Sequence, residues 1–147
     1  MKTLHIHIKT DDLDKSVGFY SAMFGAEPTQ LESDYAKWLL DDPRAHVSLS
    51  THGGTPGFDH AGISIDTREE LDEIAERLGD DVSKFSEEET TCCYAKSNKH
   101  WVRDPQGTTW ELFQSFDKSE TYGAEPDREM APMAAAKSDD PCCAPAA

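Results

Sequence analysis

The chain has 147 residues, enough for one domain with an apolar core, and a formal net charge of −15. This acidity argues against nucleic acid and against anionic membrane surfaces as partners, because both attract Lys and Arg. No signal-peptide-like apolar stretch opens the sequence, and no apolar run is long enough to cross a membrane. We therefore expect a cytoplasmic protein.

The first half of the chain predicts a strand, a helix and three further strands. Residues 3–9 alternate apolar and polar side chains, which is typical of a half-buried strand. Apolar residues then recur at helical spacing up to Gly25, after a polar segment in which Thr10 or Asp11 is the expected cap. The further strands of this half are placed at 27–32, 35–41 and 45–51.

The second half repeats this order after a turn-rich segment at 53–57. Thr67 and Glu70 form a capping box that predicts a helix after the first strand. The strands of this half are placed at 59–66, 82–86, 90–96, 99–103 and 108–114. We predict an α+β fold of two paired βαβββ modules, residues 1–52 and 58–114, within one domain of residues 1–116.

Residues 117–147 are rich in Pro, Ala, Ser and acids and have little to bury, so we expect a flexible C-terminal tail. The tail contains Cys142-Cys143, the second of two adjacent cysteine pairs. A disulfide framework would distribute its cysteines along the chain, so both pairs are interpreted as reduced thiols. The tail pair could collect a metalloid and deliver it as a tethered ligand, or it could have no catalytic part.

Three side chains with metal-ligating chemistry occupy matching positions in the two modules. His5 and His60 lie near the start of the first strand of each module, and Glu111 lies inside the last strand. Two imidazoles and one carboxylate suit a non-heme Fe(II) site with open positions, although Mn(II), Ni(II) or Zn(II) would also bind. Alternatively, these are packed or solvated residues. His7 shares a face with His5 and is a possible extra or substitute ligand.

Several segments resemble the glyoxalase/bleomycin-resistance/extradiol-dioxygenase superfamily, which has the vicinal oxygen chelate fold. Residues 5–13 (HIHIKTDDL), 59–62 (DHAG) and 104–112 (DPQGTTWEL) carry the resemblance, together with Phe19-Tyr20 and Phe24-Gly25. The resemblance covers residues 1–114 and implies that the metal ligands are His5, His60 and Glu111.

The Cys92-Cys93 pair narrows the possible functions. Thiolates are soft ligands, and two of them can hold trivalent arsenic as a chelate by displacing two of its hydroxyls. Adjacent side chains on a regular strand point to opposite faces, so both sulfurs can reach one atom only at a turn or bulge. The alternative is two ordinary cysteines, one buried and one facing outward.

The thiol pair also carries a second resemblance. Thr90-Thr91-Cys92-Cys93, with Lys99-His100-Trp101-Val102 after it, resembles the organoarsenical carbon–arsenic lyases and the cadmium-induced proteins grouped with them. The resemblance implies that Cys92 and Cys93 bind a trivalent methyl- or aryl-arsenical. It also implies that nonheme Fe(II) at the triad uses O2 to break the carbon–arsenic bond and release arsenite. The first-strand ligand is often Gln in that family, so His5 is a departure that keeps the wider superfamily's more usual ligand.

Three other functions stay open on the sequence. One is a thiol-based protein that binds cadmium or arsenic without turnover; oxygen dependence would separate it. Another is a glyoxalase-like isomerase or dioxygenase acting on a carbon substrate, which a Cys→Ser series would separate. A drug-sequestering module is disfavoured because all three ligand positions hold competent ligands. The sequence does not choose between methyl and aromatic arsenicals, or between a monomer and a homodimer that pairs modules across chains.

Overall fold

The computed structural model describes residues 1–80, 82 and 84–124. Its helices and strands, in chain order, are β1 Thr3–Lys9, α1 Leu13–Phe24, β2 Gln30–Leu31, β3 Tyr35–Asp41, β4 Arg44–Ser50, β5 Gly57–Ser64, α2 Arg68–Leu78, β6 Lys84–Cys92, β7 Ala95–Arg103 and β8 Thr109–Lys118. The order is βαβββ twice over, as predicted. Neither helix of this described part is long and apolar enough to cross a membrane.

All the strands named above belong to one eight-stranded sheet with the order β2-β3-β4-β1-β5-β8-β7-β6. At its centre β1 pairs antiparallel with β5. Each of these strands also pairs in parallel with the last strand of its own module, β1 with β4 and β5 with β8. The two modules therefore pair within one chain, and β1, β5 and β8 lie side by side.

Each helix covers the apolar side of its own module. Under α1 a buried cluster is formed by Leu13, Ala36, Trp38 and Leu49. Under α2 the corresponding cluster is formed by Ile65, Leu71, Ile74, Val102 and Leu112. Because side chains alternate along a strand, the residues between these apolar positions face the other side of the sheet. That side carries buried polar groups, among them His5, His7, Ser48, His60, Lys99 and Glu111.

The helix caps differ in part from the predicted ones. Asp12, rather than Thr10 or Asp11, is the N-cap of α1, and its carboxylate accepts from Lys15 N at 3.0 Å. The predicted cap is thus wrong by one or two residues. At α2 the Thr67 side chain accepts from Glu70 N, as the capping box predicts.

The largest difference from the predicted strands lies in the second module. The strand predicted at 90–96 is wrong, because β6 ends at Cys92 and β7 begins at Ala95. The segments predicted at 82–86 and 99–103 overlap these two longer strands. In the first module, β2 is only Gln30–Leu31, much shorter than the predicted 27–32.

The chain stays packed past residue 116, where the domain was expected to end. Strand β8 runs to Lys118, and Tyr122 is buried although it follows a polar segment. The expected start of the tail at residue 117 therefore falls inside β8. Residues 125–147, which include the Cys142-Cys143 pair, lie outside the described residues.

Candidate metal centre and thiol pair

The three predicted ligands lie on three neighbouring strands: His5 on β1, His60 on β5 and Glu111 on β8. In the strand register His5 is opposite Gly62, and Gly62 is opposite Glu111. A Cβ atom on Gly62 would collide with the backbone carbonyl of Glu111 and contact its side chain. The missing side chain of Gly62 therefore lets the backbone of Glu111 approach β5 closely.

One oxygen of Glu111 faces both imidazoles. Its Oε2 lies 3.2 Å from Nε2 of His60 and 3.4 Å from Nε2 of His5, and all three residues are buried. One ligand atom from each residue lies within 4.8 Å of the other two. Donors about 2.0–2.2 Å from a shared ion lie about 3.0–3.5 Å from one another. The donor set and its spacing therefore fit one divalent ion.

Hydrogen bonds on the far side of each ring orient the two imidazoles. His5 Nδ1 lies 3.1 Å from the carbonyl oxygen of His46, and His60 Nδ1 lies 2.6 Å from Oδ2 of Asp59. Since a carbonyl and a carboxylate only accept, Nδ1 is an N–H donor in both rings. His5 thus keeps the lone pair on Nε2, which is the tautomer that a metal-binding histidine needs. Nε2 of His60 instead donates to Oε2 of Glu111 at 3.2 Å and would give up that hydrogen to a metal.

The protonation states at neutral pH also suit a cation. Burial lowers the pKa of His5 to about 4, against the opposing attraction of Glu111. For Glu111, burial raises the pKa, but the Lys99 ammonium and the nearby His60 outweigh it, and the net shift is well downward. Near pH 7 the site thus holds a neutral His5 imidazole and a carboxylate, which need to release no proton to bind a metal.

His7, the possible substitute ligand, is engaged elsewhere. Its Nδ1 lies 2.7 Å from Oγ of Ser48, and its Nε2 lies 3.0 Å from Oγ of Ser50. The ring is buried and stacks on His60 with a centroid distance of 5.0 Å. The structure thus brings His5, and not His7, to the carboxylate of Glu111.

The first module has no carboxylate to match Glu111. Gly62 follows His60 by two residues, as His7 follows His5, so Gly62 and His7 are equivalent positions of the two modules. Gly62 pairs with Glu111 and His7 pairs with Ser48, so Ser48 is the equivalent of Glu111 in the first module. Its hydroxyl is bonded to His7. Within the described part of the chain the candidate centre therefore has three clustered protein donors, and an ion there would keep positions open for other ligands.

The thiol pair lies at a tight hairpin turn between β6 and β7. Cys93 and Tyr94 form the two-residue loop, with φ angles of 58° and 62°. Positive φ at both positions is typical of a type I′ turn. The turn breaks the strand alternation and places the sulfurs of Cys92 and Cys93 3.0 Å apart.

The turn uses residues that rarely adopt positive φ, at a cost of about 1–2 kcal/mol each. Neighbouring contacts of Tyr94 offset this. Its hydroxyl donates to Asp34 Oδ1 at 2.6 Å, and its carbonyl accepts from Ser119 N at 2.9 Å. The Asp34 carboxylate also raises the pKa of Tyr94 to about 12, so the phenol stays a donor.

The segment after β8 packs against the same turn. Gly123 forms a bridge with Cys92, and a Cβ there would collide with the backbone of Thr91. Tyr122 stacks on His52 at a centroid distance of 3.7 Å and has its ring 6.0 Å from that of Tyr94. Residues just beyond the last strand therefore help to hold the thiol pair in place.

The thiol pair and two of the three candidate metal ligands line one cavity of about 50 Å³. Cys92 and Cys93 line it together with His5 and Glu111. Hydrogen bonding to Cys92 and burial raise the pKa of Cys93 well above its ordinary value, so Cys93 is held as a thiol at neutral pH. A ligand bound by the sulfurs would thus lie next to the metal-ligand set.

Two further cavity residues received no role in the sequence analysis. Lys99 is buried, and its Nζ lies 2.6 Å from Oε1 of Glu111. His46 is also buried, and its Nε2 has no hydrogen-bond partner among the described residues. Lys99 lies two residues before Trp101 on β7, so the two side chains face the same side of the sheet. The spacing from this aromatic residue was the available sequence signal that Lys99 faces the interior.

Comparison with known proteins identifies the family. The sequence profile of the Glyoxalase/Bleomycin resistance protein/Dioxygenase superfamily matches residues 2–112, and the chain belongs to this superfamily. This match confirms the superfamily membership that the sequence resemblance predicted.

Curated relatives include organoarsenical cleaving enzymes and cadmium-induced proteins. The chain is 37% identical over 130 residues to a trivalent organoarsenical cleaving enzyme of Bacillus sp. (strain MD1), covering 86% of this chain and 81% of the relative. It is 33% identical over 129 residues to the cadmium-induced protein CadI of Mycobacterium tuberculosis (strain CDC 1551 / Oshkosh), covering 86% and 84%.

Solved structures confirm the fold. Homoprotocatechuate 2,3-dioxygenase from Arthrobacter globiformis superposes with a TM-score of 0.57 at 18% identity, over 83% of this chain and 38% of the dioxygenase chain. A superfamily member from Vibrio splendidus 12B01 superposes with a TM-score of 0.50 at 15% identity, over 79% of this chain and 100% of its own.

Proposed function

We propose that this protein is a non-heme Fe(II)- and O2-dependent enzyme that cleaves the carbon–arsenic bond of trivalent organoarsenicals and releases arsenite. The observation that carries the proposal is the shared cavity, in which Cys92 and Cys93 present two sulfurs 3.0 Å apart beside His5 and Glu111. The relative named as a trivalent organoarsenical cleaving enzyme supports the substrate class. Such a reaction would detoxify organoarsenicals.

In the first step the thiol pair captures the substrate. Cys92 and Cys93 each replace one hydroxyl of a methyl- or aryl-arsenic(III) compound, forming two arsenic–sulfur bonds and releasing two molecules of water. The two thiol protons leave with the displaced hydroxyls, so the raised pKa of Cys93 does not oppose binding. One atom can bridge sulfurs this close, and the chelate holds the organic substituent inside the cavity.

The metal would be held by Nε2 of His5, Nε2 of His60 and Oε2 of Glu111. Fe(II) in such a donor set supplies O2 binding and oxidation of a neighbouring substrate. Mn(II), Ni(II) or Zn(II) would fit the same donors, so the choice of Fe(II) rests on the proposed reaction. The backbone carbonyl of His46 and the carboxylate of Asp59 keep the two rings oriented for binding.

The test measures arsenite released from methylarsenic(III) by protein loaded with Fe(II), in the presence and absence of O2. Cys92→Ser and Cys93→Ser should each abolish most of the release while retaining Fe(II). A Cys142→Ser/Cys143→Ser double variant is the matched control, because it removes the same chemistry outside the described domain. Full cleavage by a variant lacking both Cys92 and Cys93 would contradict the proposal.

A second candidate is a protein that binds cadmium or arsenic without turnover. The thiol pair suits soft ions, and relatives named as cadmium-induced proteins are 33% identical to this chain. Under this alternative the protein would retain methylarsenic(III) in equal amounts with and without O2 and would release no arsenite.

A further inference from the structure

Lys99 is a buried ammonium that lines the cavity shared by the thiol pair, His5 and Glu111. Its side chain is 4% exposed, and its Nζ lies 2.6 Å from Oε1 of Glu111 and 5.6 Å from the ring centre of Trp101. Burying an ammonium costs several kcal/mol unless an opposite charge compensates it. The Glu111 carboxylate is that opposite charge.

The bond to Lys99 separates the tasks of the two Glu111 oxygens. Oε1 accepts from the ammonium, whereas Oε2 faces the Nε2 atoms of His5 and His60. A carboxylate without such a partner can bind an ion through both oxygens and occupy a further coordination position. With Oε1 engaged by Lys99, Glu111 offers only Oε2.

Lys99 also lines the cavity that contains Cys92 and Cys93. Hydrogen bonding to Cys92 and burial both raise the pKa of Cys93, and the Lys99 charge acts in the opposite direction. The Glu111 carboxylate, 2.6 Å from Nζ, keeps Lys99 charged. Lys37 is a second lysine that lines the same cavity. Lys99 is therefore a cation available to the carboxylate and to any sulfur that loses its proton.

We propose that Lys99 is a positioning residue for both halves of the site: it restricts Glu111 to single-oxygen coordination, and it supplies a fixed positive charge in the cavity that the thiol pair lines. The catalytic use of this role rests on the proposed function. The coordination by Glu111 and the reactivity of the thiols can both be measured without substrate turnover.

The experiment compares Lys99→Met, which removes the charge but keeps much of the length, with Lys96→Met as matched control. Lys96 is an exposed lysine on the same strand, with its Nζ 3.8 Å from Asp117. The first readout is the rate at which iodoacetamide alkylates Cys92 and Cys93 in metal-free protein across a pH series. Loss of the Lys99 charge should raise the thiol pKa by about one unit, which lowers the thiolate population about tenfold at any pH below that pKa. Because the thiolate is the reactive form, Lys99→Met should lower the alkylation rate about tenfold in this pH range.

The second readout uses Mn(II) as the probe ion and measures the water-proton relaxivity of the bound metal. Three protein donors in an octahedral ion leave three water positions, and a second Glu111 oxygen would take one of them. Lys99→Met should thus lower the relaxivity by about one third. The Lys96→Met control should match the wild type in both readouts, and an equal change in the control overturns the assignment to Lys99.

Lys99→Gln separates the two roles and also serves if Lys99→Met does not fold. Its amide can donate to Glu111 without a charge, so alkylation should slow as in Lys99→Met while relaxivity stays at the wild-type value. Wild-type alkylation in both Lys99 variants, or wild-type relaxivity in Lys99→Met, overturns the dual role. Neither the alkylation rate nor the relaxivity depends on arsenite release. Absence of arsenite release by the wild type would therefore contradict the proposed function and leave the role of Lys99 testable.

Discussion

His5 and Glu111 face each other across Gly62, and the imidazole Nε2 lies 3.4 Å from the carboxylate Oε2. The three residues lie side by side on three strands of the sheet, and the missing side chain at residue 62 lets the backbone of Glu111 approach β5 closely. This relationship makes Gly62 a testable part of the candidate metal centre.

Gly62→Ala should destabilise the protein and weaken metal binding. The added Cβ would collide with the Glu111 backbone, and overpacking of this kind costs about 1–3 kcal/mol. Gly18→Ala is the control, because its Cβ meets no atom within 4 Å and alanine favours a helix by about 0.5–1 kcal/mol. Urea unfolding and Mn(II) titration measure both effects. Wild-type Mn(II) affinity in Gly62→Ala would contradict this interpretation of the site.

His5→Ala should lose its bound metal, whereas His7→Asn should keep about one ion per chain. Both His7 nitrogens are engaged by serine hydroxyls, so removing that ring should lower the free energy of unfolding by about 1–3 kcal/mol. Metal content after dialysis against Fe(II) or Mn(II) distinguishes the two variants. The reverse result would assign the first ligand to His7.

The metal-free protein should lose stability as the pH falls from 6.5 toward 4. The pKa of His5 is about 4 in the folded chain and 6.5 in the unfolded one, so the unfolded chain binds more protons between these values. The stabilising contribution is complete above pH 6.5 and is lost as the pH falls, by about 3 kcal/mol. Urea unfolding of chelator-treated protein at several pH values measures it. His5→Gln should show a flatter dependence, and an unchanged slope would refute the assignment.

Methylarsenic(III) should be cleaved faster than phenylarsenic(III), by at least about tenfold in kcat/KM. The cavity of about 50 Å³ is much smaller than the roughly 150 Å³ that accommodates a benzene ring. Phe113→Ala, which shortens a cavity wall, should narrow the difference, whereas Phe116→Ala on an exposed part of the same strand should not. Equal rates for both substrates with the wild type would show that the cavity does not set specificity.

A chain ending at residue 124 should keep its affinity for methylarsenic(III), but a chain ending at residue 118 should not. The shorter chain lacks the Gly123 bridge to Cys92 and the buried ring of Tyr122, which together brace the thiol turn. Loss of a buried aromatic side chain should cost about 2 kcal/mol of stability. Arsenic retained after ultrafiltration and thermal unfolding compare the two chains. Equal retention would show that the segment is dispensable.

The alternation in residues 3–9 and the repeated helix signals were sufficient to predict the module order, because hydrophobic period and capping are local properties. The positions of His5, His60 and Glu111 within their strands likewise follow from alternation. Their clustering depends on β1 pairing with β5, a long-range contact that the sequence left open between pairing within one chain and pairing across two. Their role as ligands stays a prediction.

The hairpin turn at Cys93-Tyr94 could not be predicted from local chemistry. Type I′ turns normally use Asn or Gly, whereas here contacts from Asp34 and Ser119 hold a cysteine and a tyrosine at positive φ. Lys99 was missed for a related reason. Among polar neighbours it looks like a solvent-exposed residue, and only its long-range partner Glu111 explains its burial.

The pairing of β1 with β5 inside one chain has a consequence for engineering. Each polypeptide contains all three candidate donors of its own centre, so mixing His5-deficient with Glu111-deficient copies should not rebuild one. The contacts of Glu111 with His5 and His60 lie within one chain, so dilution to nanomolar concentration should leave these three side chains together.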